Sequence, residues 1–332
     1  MGGTAYAFAV GRVRVLETRL LDKSKLERMI EASSVEEAYK VLAETEYAGA
    51  VAEMASVHDF EQILHAEMAA TLRLLKQSSP RPDLIALMAW RYDVHNLKVL
   101  LKAKFMESKE EPLLPLGTIA PDKLRGMVEE GVFRDLPSFL RDAVQKVMEE
   151  FSVSRDPQII DTNLDIALFE MLLAYARKAR SGFMEGLFVR QIDLANLKIF
   201  TRVKRMKKDR KFLHKVLLPG GTISSERLAA LLDEPFDALC AQLAVSDYAK
   251  VITEGMRDWL ERGTAARLEK LSDDFITDYL RRDKGSPFRL EPLINYLWSK
   301  EIELKNIRLI LVGKINRLPA GAIRERIRNV YV

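Results

Sequence analysis

The chain has 332 residues, of which 48% are hydrophobic and 30% are charged, a balance that is typical of a globular protein and excludes long disorder. Its 52 basic and 48 acidic residues leave a net charge of +4, so any electropositive binding surface must come from local clustering. One cysteine, Cys240, excludes an internal disulfide and a cysteine-rich metal site.

The N-terminal segment, MGGTAYAFAVGRVRVLETRLL, lacks a basic region followed by an uninterrupted apolar stretch, so we expect no signal peptide. Later apolar stretches, such as LDIALFEMLLAYARKAR, are interrupted by charges before they reach the roughly 20 residues that a membrane-spanning helix requires. We therefore expect no transmembrane span, and a protein that is peripheral to any membrane at which it works.

Three segments predict a short helix with a similar start: LLDKSKLERMIEA from residue 20, TIAPDKLRGMVEE from 118 and TISSERLAALLDE from 222. When their leucines are aligned, the position before each helix is taken by Asp22, Ala120 and Ser224. Asp and Ser are good N-caps because their oxygens accept hydrogen bonds from free backbone N–H groups, and Pro121 suits the first helical position.

The last two of these helices follow nearly the same turn, LLPLGTI at 113–119 and LLPGGTI at 217–223. Proline suits the second position of such a turn. We expect Gly117 and Gly221 to adopt backbone angles that other residues avoid.

A polar phrase recurs about every hundred residues: RYDVHNLKVLLKAK at 91–104, RQIDLANLKIFTRVK at 190–204 and KEIELKNIRLILVGK at 300–314. On a helix, an acid and an asparagine three residues apart share one face with apolar anchors. A metal site is disfavoured because there is no second carboxylate or histidine. We favour hydrogen bonds to the backbone of a neighbouring helix or turn. The pairs are Asp93 and Asn96, Asp193 and Asn196, and Glu303 and Asn306.

These repeats predict three similar helical modules, 1–110, 111–215 and 216–332. Alternating strand patterns are scarce, whereas apolar residues at helical spacing are common, so the predicted fold class is all-α. The period is too long for a helical solenoid, so each repeat is better regarded as a small domain. Three like domains in contact head to tail can close into a pseudo-threefold body.

No signature of an enzyme is present. Gly313 and Lys314 lack the hydroxyl residue and the leading glycine of a phosphate loop. The four histidines form no i, i+4 metal pair: His58, His65, His95 and His214. We expect no catalytic residue, no metal site and no cofactor.

The densest charge cluster is RVKRMKKDRKFLHK at 202–215, and the C-terminal tail, RLPAGAIRERIRNVYV, is also basic. The cluster is either a solvated helix end or a docking surface for an acidic protein or lipid headgroups. Nucleic acid is not expected, because Phe212 is the only aromatic residue in the run.

Two aromatic residues near the N-terminus can be either core or interface. The candidate interface residues are Tyr6, Phe8, Arg202, Lys204, Arg205, Lys207, Lys208, Arg324 and Arg328.

The order and spacing of these features, with YAFAVGRVRVLETRLL at the start and IRERIRNVYV at the end, resemble the C subunit of archaeal and bacterial A-type and V-type ATPases, equivalent to the d subunit of the eukaryotic vacuolar enzyme. The resemblance covers the whole chain. It implies a funnel-shaped, pseudo-threefold helical adapter in the central rotor, at the cytoplasmic face of the membrane. Its partners would be the central shaft subunits of the ATPase head and the membrane proteolipid ring, and it would catalyse nothing itself.

Two other classes share most of these features. A helical scaffold of a different assembly would show the same sequence features but would not resemble the C subunit of these ATPases. A basic helical nucleic-acid binder would show affinity that falls steeply with salt.

Overall fold

The structure is a computed structural model that describes residues 3–109, 112–282 and 288–330. In these ranges the regular structure is entirely helical, which confirms the all-α class. In chain order the elements are α1 (Gly3–Glu17), α2 (Lys23–Glu31), α3 (Val35–Leu42), α4 (Ala48–Ala52), α5 (Phe60–Ser78), α6 (Pro82–Met106), α7 (Pro121–Glu130), α8 (Ser138–Ser154), α9 (Gln158–Lys178), α10 (Gly182–Arg205), α11 (Arg210–Val216), α12 (Ser225–Ala230), α13 (Phe236–Leu243), a π-helical turn (Val251–Met256), α14 (Arg257–Arg262), α15 (Ala266–Arg281), α16 (Glu291–Ile315) and α17 (Ala320–Arg324).

The chain forms two compact units. Unit 1 combines Met1–Ile85 with Leu243–Val332, and unit 2 is Ala86–Gln242. Unit 1 therefore joins the start of the chain to its end. The module boundaries at 1–110, 111–215 and 216–332 follow the period of the repeats and remain a prediction. Along the described part of the chain, no helix is both long and apolar enough to cross a membrane.

Unit 1 is built around α16. This helix contacts α1, α2, α3, α5, α15 and α17, and most of its residues are buried. A helix that is apolar on nearly all sides, as the stretch from Leu293 to Leu297 is, belongs in the interior of a unit. The polar residues on α16 must therefore find partners inside the protein.

In unit 2, the longest helix that lies wholly within the unit is α10. This helix packs on α9 and α11, while α8 packs on α9 and α11 on α12. The side chains of Phe188 and Phe200 on α10 are completely buried. Removing such a ring from a core costs about 3–5 kcal/mol, because the cavity does not close.

The three predicted helix starts are confirmed. Asp22 accepts a hydrogen bond from the N–H of Lys25 at the start of α2, and Ser224 accepts one from Arg227 at the start of α12. Ala120 makes no side-chain cap, and α7 instead begins with Pro121. The two kinds of start match the chemistry expected of the residues.

The expectation for Gly117 and Gly221 was wrong, because neither has a positive φ angle. Glycine is required at these positions because a larger side chain would not fit. A Cβ atom on Gly117 would lie 2.1 Å from Oδ1 of Asp93, and one on Gly221 would lie 2.3 Å from Oδ1 of Asp193. Glycine is needed at both positions because a carboxylate passes where the side chain would be.

Candidate functional site

Three long helices, α6, α10 and α16, each carry an acid and a lysine that hold the two ends of one short helix, with an asparagine between them that binds the backbone of a neighbouring segment. We call such a set a helix clamp. The lysine follows the acid by 11 residues, which is close to three helical turns, so the three side chains share one face. The members are Asp93, Asn96 and Lys104 on α6; Asp193, Asn196 and Lys204 on α10; and Glu303, Asn306 and Lys314 on α16.

The acid lies just ahead of the short helix. Oδ2 of Asp93 accepts hydrogen bonds from the N–H of Thr118 (2.9 Å) and from its hydroxyl (2.7 Å), while Oδ1 accepts one from the N–H of Ile119 (3.0 Å). Asp193 binds Thr222 and Ile223 in the same way, at 3.1, 2.6 and 3.1 Å. These N–H donors favour the ionised form of the acid, because unpaired N–H groups make a helix N-terminus partly positive.

The asparagine holds the chain that leads into the short helix. The side-chain amide of Asn96 donates to the carbonyl of Leu114, and its oxygen accepts from the N–H of the same residue, both at 2.8 Å. Asn196 makes the same two bonds to Leu218, also at 2.8 Å. Each amide thus satisfies both backbone groups of one buried residue, which fixes the register of the turn.

The lysine binds the other end of the short helix. Nζ of Lys104 donates to the carbonyl of Val128 (2.5 Å), and Nζ of Lys204 donates to those of Leu232 (2.6 Å) and Glu234 (2.7 Å). A cation suits this end, where carbonyl groups without helical partners carry partial negative charge. Each clamp therefore complements both ends of the helix dipole.

The third clamp uses residues from opposite ends of the chain. The N–H of Leu21, just ahead of α2, donates to Oε2 of Glu303 at 2.5 Å. Nζ of Lys314 donates to the carbonyls of Ile30 and Ala32 at the end of α2. Asn306 pairs with both backbone groups of Arg328 in the C-terminal tail. The first short helix is thus held by the last long helix.

The third acid also has a different set of donors. Leu20 occupies the position of Thr118 and has no hydroxyl group, so Oε1 of the longer Glu303 reaches the hydroxyl of Tyr47 (2.6 Å) and Nζ of Lys300 (2.7 Å). All three side chains are buried. Burial is the largest single influence and lowers the pKa of Lys300, but the combined interactions with Glu303, Tyr296 and Glu67 outweigh it and the pKa is raised. The lysine therefore remains charged and paired.

The clamps connect the repeats in a cyclic order. The long helix α6 holds α7, α10 holds α12, and α16 returns to α2. The first two clamps lie within unit 2 and the third lies within unit 1. The first two long helices therefore bind a capped short helix that follows them in the chain, and α16 binds the capped short helix near the N-terminus.

The groups in the clamps are occupied by protein partners. Burial raises the pKa of Asp93, although the hydrogen bonds from Thr118 and Ile119 act in the opposite direction. Within the described ranges, no group of three or more His, Cys, Asp or Glu side chains is arranged to hold a metal ion. The geometry is that of a device that positions helices.

The candidate interface residues fall into two groups. Phe8 is 76% exposed and Tyr6 is half-buried, and four cations of the 202–215 run are exposed: Arg202, Arg205, Lys207 and Lys208. The others are engaged inside unit 1 or unit 2. Lys204 belongs to a clamp, Arg324 pairs with Glu27 and Glu31, and Arg328 pairs with Asp273.

Sequence reasoning missed two of the clamp lysines, Lys104 and Lys314, and took Lys204 for an interface residue. The signal was present, because each of the three repeated phrases ends in a lysine at the same distance from its acid. The earlier cation in the phrase does something else. Lys98 pairs with Asp165 on α9, and Arg308 pairs with Glu61 on α5.

Known proteins match this chain over nearly its whole length. The model of the ATP synthase (C/AC39) subunit family matches residues 9–326. The chain is similar to the C subunit of the V-type sodium ATPase of Enterococcus hirae, with 28% identity over 324 residues that cover 96% of this chain and 97% of the relative. It is also similar to the C subunit of the A-type ATP synthase of Methanocaldococcus jannaschii, with 29% identity over 341 residues that cover 96% and 85%. The chain therefore belongs to the ATP synthase (C/AC39) subunit family, and it is a non-catalytic subunit of a V/A-type ATPase.

Proposed function

We propose that this protein is the central-rotor adapter of a rotary V/A-type ATPase, linking the central shaft of the ATPase head to the membrane proteolipid ring. In this role it would couple ATP hydrolysis or synthesis to ion transport from the cytoplasmic face of the membrane. The observation that carries the proposal is the family match from residue 9 to residue 326, which includes all three clamps.

The clamps supply the stiffness that such an adapter needs. A part that transmits torque must not let its helices slide, because any slip would absorb work before it reached the next component. A short helix with a carboxylate at one end and an ammonium group at the other cannot shift along the long helix without breaking both contacts. The clamp acids and asparagines are all buried, which protects these contacts from water.

The order of the clamps supports a pseudo-threefold adapter. The first repeat is joined to the second, the second to the third and the third to the first. A set of like domains whose contacts follow such an order is the kind that closes around an axis.

For the proteolipid ring we propose the outer face of α1. Phe8 is exposed there, and Ala7, Gly11 and Val15 are exposed on the same side of the helix. Among the described residues, and apart from the adjacent residues and the backbone of α1 itself, no atom lies within 4 Å of where a Cβ on Gly11 would be. Arg12 is exposed on this face as well, with its guanidinium near the hydroxyl of Ser78. The apolar residues beside it, one large and several smaller, suit close contact with another apolar helix.

The test is recovery of the complex from gently solubilised membranes of the native host, with the chain tagged at its C-terminus. We expect the proteolipid, the shaft subunits and the catalytic-head subunits to be recovered together. Recovery of soluble partners alone would overturn the adapter role.

A variant pair tests the contact with the ring. Phe8→Ser should reduce recovery of the proteolipid relative to the shaft subunits. The matched control is Val153→Ser on α8, where an 87% exposed valine lies away from α1 in the sequence. Equal loss of proteolipid in both variants would contradict the assignment of α1.

A further inference from the structure

The end of α10 and the short helix α11 carry six exposed cations besides Arg210, which pairs with Asp233. Asp209 caps α11 by accepting a hydrogen bond from the N–H of Phe212 at 2.8 Å, and Lys207 lies in the left-handed region with φ 53°. We call this part of the surface the basic corner. Its cations are Arg202, Arg205, Lys207, Lys208, Lys211 and Lys215.

Most of this charge is not neutralised by the protein. In the part of the chain that the structure describes, Arg202, Lys207, Lys211 and Lys215 have no ion pair, and Lys208 only lies over the ring of Phe212, 5.8 Å from its centre. Asp209 is the one acid between 202 and 215, and it is used as the cap. The corner therefore presents a large excess of positive charge to solvent.

The same backbone turn occurs at two other places in the chain, where the side chains are different. The third residue after each clamp lysine has a positive φ angle: Glu107 at 50°, Lys207 at 53° and Arg317 at 54°. The N–H of the next residue bonds back into the last turn of the helix in each copy, as from Ser108 to Ala103 and from Lys208 to Val203. The same turn forms with glutamate as with lysine, so it does not require the cations.

An apolar side chain lies among the cations. Met206, in the basic corner, is 51% exposed. Lysine and arginine stems are themselves apolar and keep their charged ends extended. A turn with one exposed apolar side chain and several exposed cations has the chemistry of a surface that lies on lipid headgroups, with the apolar side chain entering the interface.

We propose that the basic corner binds anionic lipid headgroups of the membrane. This inference rests on the proposed function, which brings the protein next to a membrane. A cluster of four to eight Lys and Arg residues typically attracts anionic lipid, and each contributes about a five-fold gain in affinity near the surface. Lipid is favoured over an acidic protein because the charge is carried by long flexible side chains, which match mobile headgroups, and because the apolar side chain of Met206 is exposed among them.

The experiment measures binding of the purified full chain to sedimented vesicles. One set contains phosphatidylcholine alone, and the other contains phosphatidylglycerol as well. We expect binding to the anionic vesicles only, weakening as salt is raised because screening shortens the range of the charges. The variant K207Q/K208Q/K211Q should bind on the order of a hundred-fold more weakly.

The matched control is K40Q/K76Q/K178Q, which removes three exposed lysines on α3, α5 and α9. It should bind as the unchanged chain does, and both variants should retain the thermal unfolding midpoint because none of these lysines is buried. Absence of binding to anionic vesicles, or equal loss in both variants, would overturn the proposal. Binding to a polyglutamate peptide without binding to vesicles would overturn it in favour of an acidic protein.

The two proposals fail in different ways. Vesicle binding by the purified chain does not depend on the ATPase, whereas recovery of the proteolipid and shaft subunits does. Lipid binding without recovery of these subunits would support the proposal for the basic corner and contradict the proposed rotor role.

Discussion

Leu21 and Glu303 are separated by 282 positions in the sequence, yet the backbone N–H of the first donates to the side chain of the second. This bond is the counterpart of those from Ile119 to Asp93 and from Ile223 to Asp193. Because it joins the start of the chain to α16, the stability of α2 depends on residues near the C-terminus.

Glu303→Ala should destabilise unit 1 by about 3–5 kcal/mol. The change leaves the N–H of Leu21, the hydroxyl of Tyr47 and the ammonium group of Lys300 without their buried acceptor. Urea unfolding of the purified chain measures the loss. The control is Glu61→Ala, which removes a half-exposed partner of Arg308 and should cost no more than about 1 kcal/mol. Similar losses in the two variants would show that the buried acid has no special role.

Alanine should have opposite effects at two glycines of neighbouring segments. Gly117→Ala places a methyl group against the carboxylate of Asp93, so the free energy of unfolding should fall by about 1–3 kcal/mol. Gly126→Ala, within α7, meets no atom within 4 Å and should raise it by about 0.5–1 kcal/mol. Thermal unfolding of both variants checks the prediction, and a change of the same sign in both would contradict it.

Lys314→Ala should loosen α2 while leaving α7 and α12 unchanged. The ammonium group is lost from the carbonyls at the end of α2, at a cost of about 1–2 kcal/mol. Hydrogen exchange of backbone amides resolves the helices separately, and protection should fall in 23–31. Lys40→Ala removes an exposed lysine of α3 and should change stability by less than about 0.5 kcal/mol. Uniform loss of protection over the chain would count against a local clamp.

Ionisation of Asp93 should lower the free energy of unfolding as the pH rises. Burial raises its pKa above the ordinary value of 3.8, so the folded state holds the proton more tightly than the unfolded state does. The free energy of unfolding that this carboxyl contributes therefore decreases as the pH increases from 3.8 through the raised pKa. Urea titrations of the unchanged chain and of Asp93→Asn over that window give the difference.

Asp83 is the control for the pH experiment, because its pKa is shifted in the opposite direction. Hydrogen bonding to Arg81 lowers the pKa of Asp83. Its contribution is present above pH 3.8 and is lost as the pH falls through the lowered pKa. The difference between the unchanged chain and Asp83→Asn should therefore increase with pH. The same slope for both carboxyls would contradict the assigned causes.

Local interactions explain which parts of the structure were predictable. Asp22, Pro121 and Ser224 start their helices through contacts within one turn, so the pattern of residue types was enough. The reason for glycine at 117 was not predictable in the same way. It depends on the position of Asp93, which approaches only after α6 has packed against the turn.

By itself, the sequence determined the helical class, the capped short helices and the existence of three related acid and asparagine pairs, because each of these follows from spacing along one helix or one turn. Only the tertiary structure decided which group each pair binds. The partner of Glu303 comes from the distant segment at Leu21, whereas the chain after α16 supplies the short helix α17 and Arg328, which binds Asn306. Hydrogen bonds of this kind depend on the packing of apolar faces that brings remote segments together, and no local pattern records that choice.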